Sequence, residues 1–322
     1  MGRMKLRKFN FTQQDISTYR STLMGIAILW VIFYHFGFHT PGFSHIARFG
    51  YAGVDIFMFL SGFGLFYSLN KNNNLGTYYK KRIVRIFPTY FIVGIGLSIF
   101  CYPTENLWYY FWRCSTLGFW TNGIYYEWFI PSIIMLYILF PLFFSLLKHN
   151  RIKSYKFIIA LSIILATIAV FNYTIIDNWH FLLLYRVPVF LYGVLTAYYL
   201  TNDYSSKEFI WVTLCGLIIF IGFFVVPTSR TRYIAFTFLT PMLLSIFCLL
   251  IKNTTIINKL GGVIGKASLE IYLVHLIFLK YLRTNTISFR EVFFDLSTVG
   301  LAVISVFIGI ILHKLITKCT HI

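Results

Sequence analysis

Two long apolar runs near the N-terminus, each carrying one titratable side chain, constrain this chain more than any other feature. The first, Leu23 to Tyr34, ends on His35, and the second, Gly53 to Phe63, contains Asp55. With their apolar flanks, both are long enough to cross the hydrocarbon core of a bilayer, which takes about 20 residues of helix. An ionisable group inside such a segment is costly and marks function by default.

Composition extends this to the whole chain. Of 322 residues, 58% are hydrophobic and 12% are charged, where a soluble domain carries about 25% charged residues. Residues 1–322 therefore read as a single integral-membrane domain, with a basic cytoplasmic segment over 1–20 and no appended soluble domain. The formal charge of +18 would suit nucleic acid. In a membrane protein the excess of Lys and Arg in cytoplasmic loops accounts for it, so no nucleic-acid partner is expected. Arg3, Lys5, Arg7 and Lys8 precede an apolar run as in a signal peptide. That run is too long and lacks a small-residue cleavage site, so it is a retained first span. The five cysteines show no metal-ligand spacing, and no metal is expected; Cys101 and Cys114 are the pair placed for a disulfide.

The expected fold class is all-α: a polytopic membrane protein of about ten transmembrane helices, since lipid demands internally satisfied backbone. The spans fall near 21–39, 50–69, 87–103, 128–147, 157–175, 181–200, 209–227, 232–251, 268–284 and 294–314. Alternate connecting segments, counted from the N-terminus, hold 20 of the 28 Lys and Arg residues. That asymmetry places both termini in the cytoplasm. Residues 104–127 become the longest outside loop, rich in Trp and Tyr as expected at an interface.

Depth then places the titratable groups. His35 lies fifteen residues beyond Arg20, about 22 Å along a helix, in the outer half of the first span. Asp55 is a few residues into the inward-running second span, at the same level. A carboxylate beside a histidine fixes its tautomer and supports the imidazolium, so that the histidine can take a proton from a hydroxyl. Tyr34 and Ser61 are close in sequence. The competing expectation is a buried pair that only ties two helices together.

A basic stretch runs from Tyr78 to Pro88. Pro88 suits the first turn of a helix, which would set Arg82 and Arg85 just ahead of its N-terminus. Free amides and guanidinium forks together favour a phosphate; anchoring to lipid phosphates is the alternative. Glu127 and Trp128 open the fourth span, where the carboxylate either answers the helix dipole or lines a sugar site with the indole. Arg186 lies near the outer end of the sixth span, where snorkelling to headgroups would explain it. Tyr272 and His275, with Glu270, fall in the inner half of the ninth span. The remaining histidines, His313 among them, carry no signal. Gly-x-Ser-x-Gly, His-Glu-x-x-His and Walker phosphate-loop patterns are absent from the sequence.

Several of these pieces resemble one family, the acyltransferase-3 family of multi-span membrane O-acyltransferases. Leu23 to Leu29 ending on Tyr34-His35 is similar to its first-span motif. Gly53-Val54-Asp55-Ile56-Phe57 with Ser61-Gly62-Phe63 is similar to its second. Arg82 to Pro88 is similar to its paired-arginine loop, and Trp128 to Pro141, Arg186 to Phe190 with Gly193, and Ile271 to His275 fit later blocks. The family has an arginine eleven residues before the first-span histidine; here that position is Met24. Arg20, one turn earlier and about 60° from His35 on the helical wheel, is the expected substitute.

The resemblance implies transfer of an acyl group, commonly acetyl, from cytoplasmic acyl-CoA to a hydroxyl of an extracytoplasmic or lipid-linked glycan, with no bound cofactor. His35 and Asp55 would be catalytic. Arg82, Arg85 and Arg20 would bind acyl-CoA. Tyr34, Ser61, Glu127, Trp128, Arg186, Tyr272 and His275 would line the acceptor site or the pore. The expected partners are membrane lipid, the glycan acceptor, acyl-CoA, and either a separate extracytoplasmic transferase or a second copy of the chain. The expected location is the bacterial cytoplasmic membrane. The rival class is a lipid or sugar transporter that uses His35 and Asp55 as a proton relay; it lacks the two similar halves common in transporters.

Overall fold

The computed structural model describes residues 13–36, 47–122, 127–149, 157, 160–162, 164, 180–201, 221, 231–285 and 296–320. Among the described residues all regular structure is helical. In chain order the helices are α1 (Gln13–Phe36), α2 (Ala52–Lys71), α3 (Leu75–Cys101), α4 (Leu107–Cys114), α5 (Leu117–Asn122), α6 (Phe129–His149), α7 (His180–Thr201), α8 (Thr231–Ile251), α9 (Thr255–Lys266), α10 (Ser268–Asn285) and α11 (Leu296–Thr320).

Among the described residues six stretches are long and apolar enough to cross a membrane: Asp15–Phe36, Ala52–Lys71, Leu75–Phe100, Phe129–His149, Leu182–Thr201 and Val299–Thr320. A seventh arises if α9 and α10, which meet at a bend of 70°, form one broken span. Of the ten expected spans, 157–175 and 209–227 lie outside the described residues except at 157, 160–162, 164 and 221. The expected eighth span is helical, but only Leu239–Ile251 within it reads as an apolar helix. The connecting segment expected at 252–267 is largely helix α9, packed on α1.

α2 and α7 form the interior. Of their most apolar windows 78% is buried, against 22% for α11 and 33% for α3, whose open faces carry residues such as Phe307 and Ile99. Such faces fit lipid. Glycine sets the closest approaches. A Cβ added at Gly62 would stand 2.2 Å from the Phe190 carbonyl oxygen, and one at Gly193 would stand 2.1 Å from that of Phe59. α1 and α9 meet in the same way, with Gly25 on Gly261 and Gly265 on Ser21. Small residues let membrane helices pack backbone to backbone, where dispersion and weak polar contacts replace the hydrophobic drive available in water.

The start of α3 corrects the expectation built on Pro88. Asn74 caps the helix, its side chain accepting from the Thr77 amide at 2.8 Å, and the helix runs from Leu75 straight through Pro88. The missing amide of an interior proline is tolerated where neighbouring helices support the backbone, as also for Pro141, Pro188 and Pro241. Arg82 and Arg85 therefore project from the body of a helix and not from its N-terminus.

Candidate active site

His35 sits in the last turn of α1. Its Nδ1 lies 2.8 Å from Nε2 of His275 on α10, within hydrogen-bond distance. The rings are nearly parallel, at 12°, with centroids 5.1 Å apart. Tyr34 packs at 5.4 Å on His35, and Tyr272 at 5.4 Å on His275. His275 is fully buried. The sequence placed His275 in the inner half of its span and His35 in the outer half of another; the structure sets the two rings side by side, at one level. α10 starts at Ser268, where the sequence placed its ninth span, but it leaves α9 at a bend of 70°, and the direction it takes from there is not captured by counting residues along straight spans.

The carboxylate expected to support His35 pairs elsewhere. Asp55 Oδ1 lies 2.5 Å from Nη1 of Arg186, with both side chains enclosed, and Arg186 Nη2 donates to the Tyr51 carbonyl at 3.4 Å. The register between α1 and α2 explains the change. Gly53 rests on Ala27 and Val31, and Gly50 on Trp30 and Tyr34. Asp55, two residues further in than Gly53, faces a level deeper than His35 by about 10 Å. At that level a permanent guanidinium answers the carboxylate. Arg186 is thus an interior partner and does not snorkel.

A second cluster forms around Glu270, which is fully buried at the start of α10. Arg85 grips it with both terminal nitrogens, at 2.5 and 3.1 Å, and also donates to the Lys266 carbonyl at 3.0 Å. The Thr89 hydroxyl donates to the same carboxylate at 3.0 Å, and His313 Nδ1 lies 3.4 Å away. Arg82, one turn along α3, donates to the Tyr78 carbonyl at 3.0 Å and lies 4.1 Å over the Tyr78 ring. Arg20 donates to the Leu60 carbonyl at 3.4 Å and rests against Gly64. Neither Arg20 nor Arg82 makes an ion pair among the described residues.

These cations open onto a cavity of about 590 Å³ lined by Arg20, Lys81, Arg82, Arg85, Lys266 and His313 at one end and by Val31, Val54, Phe57, Phe129 and Tyr272 at the other. Ser61 and Met24 lie on its wall. From Arg20 to Val31 the cavity follows α1 for about 16 Å. It has a basic mouth and an apolar interior that ends beside the ring in contact with His275.

Glu127 and Trp128 belong to a different cluster. Glu127 is buried and accepts from Arg113 Nη1 at 3.0 Å, the Tyr90 hydroxyl at 3.3 Å and the Tyr102 hydroxyl at 3.2 Å. Arg113 also holds Glu105, at 2.8 and 2.9 Å, and the Gly94 carbonyl at 3.0 Å. Burial works against the Arg113 charge, but the two carboxylates outweigh it and hold the guanidinium above its ordinary pKa. Glu127 is thus spoken for by protein groups, in place of the expected choice between a helix dipole and a sugar. Trp128 is half-buried against Phe129. Cys114, which the sequence left as a possible but weak disulfide partner of Cys101, is a free buried thiol.

Sequence reasoning singled out His35, His275, Asp55, Arg186, Arg20 and Arg82 without pairing them correctly. It passed over His313, Arg113, Glu105 and Gly64. For Arg113 a signal was available: a lone arginine between two glutamates in a segment otherwise poor in charge. Among the described residues, no group of three His, Cys, Asp or Glu side chains is arranged to hold a metal ion.

A family profile described as an acyltransferase domain matches residues 23–314. The chain is also similar to a protein of Acidianus two-tailed virus named "Putative acetyltransferase ORF330", at 27% identity over 309 residues, covering 85% of this chain and 87% of that protein. No solved structure matches.

Proposed function

Because this chain belongs to the acyltransferase domain family, we propose that it moves an acyl group, most simply acetyl, from cytoplasmic acyl-CoA to a hydroxyl of an extracytoplasmic or lipid-linked glycan. The supporting observation is the cavity. Its mouth carries Arg20, Arg82, Lys81 and Lys266, and its apolar end stops at Tyr272, 5.4 Å from His275. Cations suit the phosphates of coenzyme A, and the apolar interior suits a pantetheine arm and thioester.

In this reading His35 is the general base. It takes the proton of the acceptor hydroxyl while the oxygen attacks the thioester carbonyl. The carbon–sulfur bond breaks, and the departing thiolate receives the proton from His35. Arg20 and Arg82 hold the donor phosphates, and Arg85 keeps the mouth in shape through Glu270. Asp55 acts on His35 only through the helices that it and Arg186 join. Tyr34, Ser61 and Tyr272 line the acyl path. Because the cavity itself leads towards the histidines, a tyrosine carrier is unnecessary. Ten spans and a single domain in the cytoplasmic membrane, read from the apolar runs and composition, and both termini in the cytoplasm, read from the distribution of Lys and Arg, complete the proposal.

The test uses purified protein in lipid with radiolabelled acetyl-CoA, alongside mass spectrometry of envelope glycans from cells with and without the protein. A glycan gaining one acyl mass, abolished by His35→Ala, is the expected result. An intact thioester and unchanged glycans would overturn the reading; full activity of His35→Ala would remove that residue from it.

A further inference from the structure

We propose that His275 is a positioning residue of the reaction: it fixes the tautomer and the plane of His35, the task that the sequence alone assigned to Asp55. This rests on His35 being the base in the acyl transfer described above.

The argument is one of proton inventory. Nδ1 of His35 and Nε2 of His275 are 2.8 Å apart and their rings are 12° from parallel, so one proton lies between them. Two arrangements are available to a neutral pair. If His275 donates, the proton of His35 sits on its own Nε2, and no basic lone pair is left for a hydroxyl. If His35 donates from Nδ1, its Nε2 is the base. The other nitrogen of His275 decides. It is enclosed and makes no hydrogen bond of normal geometry among the described residues, and the groups that approach that ring are the carbonyls of Ile271 and Tyr272. Carbonyls only accept, so they hold the proton on Nδ1 of His275 and leave its Nε2 to accept from His35. The packing of Tyr272 and Phe36 around His275, and of Tyr34 on His35, keeps both rings in this plane.

During transfer the hydroxyl proton arrives at Nε2 of His35, and the resulting imidazolium keeps its Nδ1–H on His275. The same proton leaves from Nε2 to the thiolate. His275 ends each cycle as it began. A neutral imidazole stabilises the imidazolium less than a carboxylate does, but it needs no counter-charge in a low-dielectric site.

Two measurements test this on the full-length protein in lipid bilayers. In the first, histidine is labelled with nitrogen-15 and the His35 signals are identified by their loss in His35→Gln. The expected signature is a proton on Nδ1 and a bare Nε2, lost or mixed in His275→Phe. In the second, kcat falls by roughly 100-fold or more in His275→Phe, since general-base catalysis contributes about 10²–10⁴-fold, while KM for acetyl-CoA changes little. His275→Gln sets an oxygen where Nε2 stands and recovers most of the rate; His275→Asn sets it where Nδ1 stands and does not. An unchanged His35 tautomer in the Phe variant, or equal loss in Gln and Asn, overturns the proposal. If the Phe variant does not fold, the comparison of Gln with Asn decides. A wild-type protein that consumes no acyl-CoA sinks the acyl-transfer reading instead, and the tautomer measurement still judges the pair.

Discussion

Arg186 and Asp55 form an enclosed ion pair, Nη1 to Oδ1 at 2.5 Å, that joins α7 to α2. It sits about one turn of α7 before Phe190 and two before Gly193, the glycine contacts that bring these helices together. Removing one partner of a buried pair leaves an uncompensated charge and costs about 3–5 kcal/mol. Asp55→Asn or Arg186→Gln is therefore expected to lower the unfolding temperature in detergent sharply. The double change to leucines recovers much of the loss. Normal stability in Asp55→Asn with loss of kcat alone would mean that the carboxylate acts on His35 directly.

Gly64 gives Arg20 its place. A Cβ there would stand 2.8 Å from Nη2 and 3.0 Å from Cζ of that arginine. The obstructed group is the end of a flexible side chain, so Gly64→Ala moves the guanidinium without unfolding the helix. KM for acyl-CoA is expected to rise roughly tenfold, the scale of one weakened hydrogen bond to a charged group, with kcat held. Unchanged KM in both Gly64→Ala and Arg20→Gln would take Arg20 out of the donor site.

Gly193 has no such freedom. Its Cβ would lie 2.1 Å from the backbone oxygen of Phe59, and two packed helices must part to admit it. Gly193→Val is expected to cost at least the 1–3 kcal/mol typical of overpacking, read as a lower unfolding temperature. Gly300, with nothing within 4 Å, should accept alanine without such a loss.

The cysteines report topology and burial together. Cys319 is exposed and Cys114 is buried. Burial first, then the carboxylates of Glu127 and Glu105, push the Cys114 thiol up to about 11, against the opposing effects of Arg113 and Tyr110. The thiolate is the form that reacts, so maleimide labelling of Cys114 should be negligible at neutral pH and rise as pH approaches 11. A thiol raised on folding favours the folded state most fully below its unfolded pKa, and that contribution fades as pH climbs through the window up to 11. With both termini in the cytoplasm, an impermeant maleimide leaves Cys319 unlabelled in intact cells and labels it after lysis. Labelling in intact cells would reverse the orientation.

Much of the site was legible as residue types and little of it as partners. His35, Asp55, Arg186 and His275 each stand out because a titratable group within an apolar run is expensive wherever it lies. Which one meets which depends on the register between α1 and α2, which sets Asp55 about 10 Å deeper than His35, and on the direction α10 takes after its bend from α9. Neither leaves a periodic trace. Pro88 misled for a related reason: the rule that proline opens helices holds in water, whereas here Asn74 had already capped α3 and the surrounding helices carried it past the missing amide. The Arg113 cluster was missed because its partners, Glu105 and Glu127, lie eight and fourteen residues from it, beyond any helical spacing.

From the sequence alone came the class of the protein: apolar runs of bilayer length leave the backbone no choice but helix, and ordered motifs at His35, Asp55, Arg82 and His275 point to acyl transfer. Tertiary structure alone decided that His35 meets His275, that Asp55 belongs to Arg186, and that Arg85 is held by Glu270 while Arg20 and Arg82 share a cavity mouth. The reason is physical. Hydrophobicity and backbone hydrogen bonding are local and can be read residue by residue. A charge inside a membrane takes whatever partner helix packing brings within about 3 Å, and packing is a property of the whole fold.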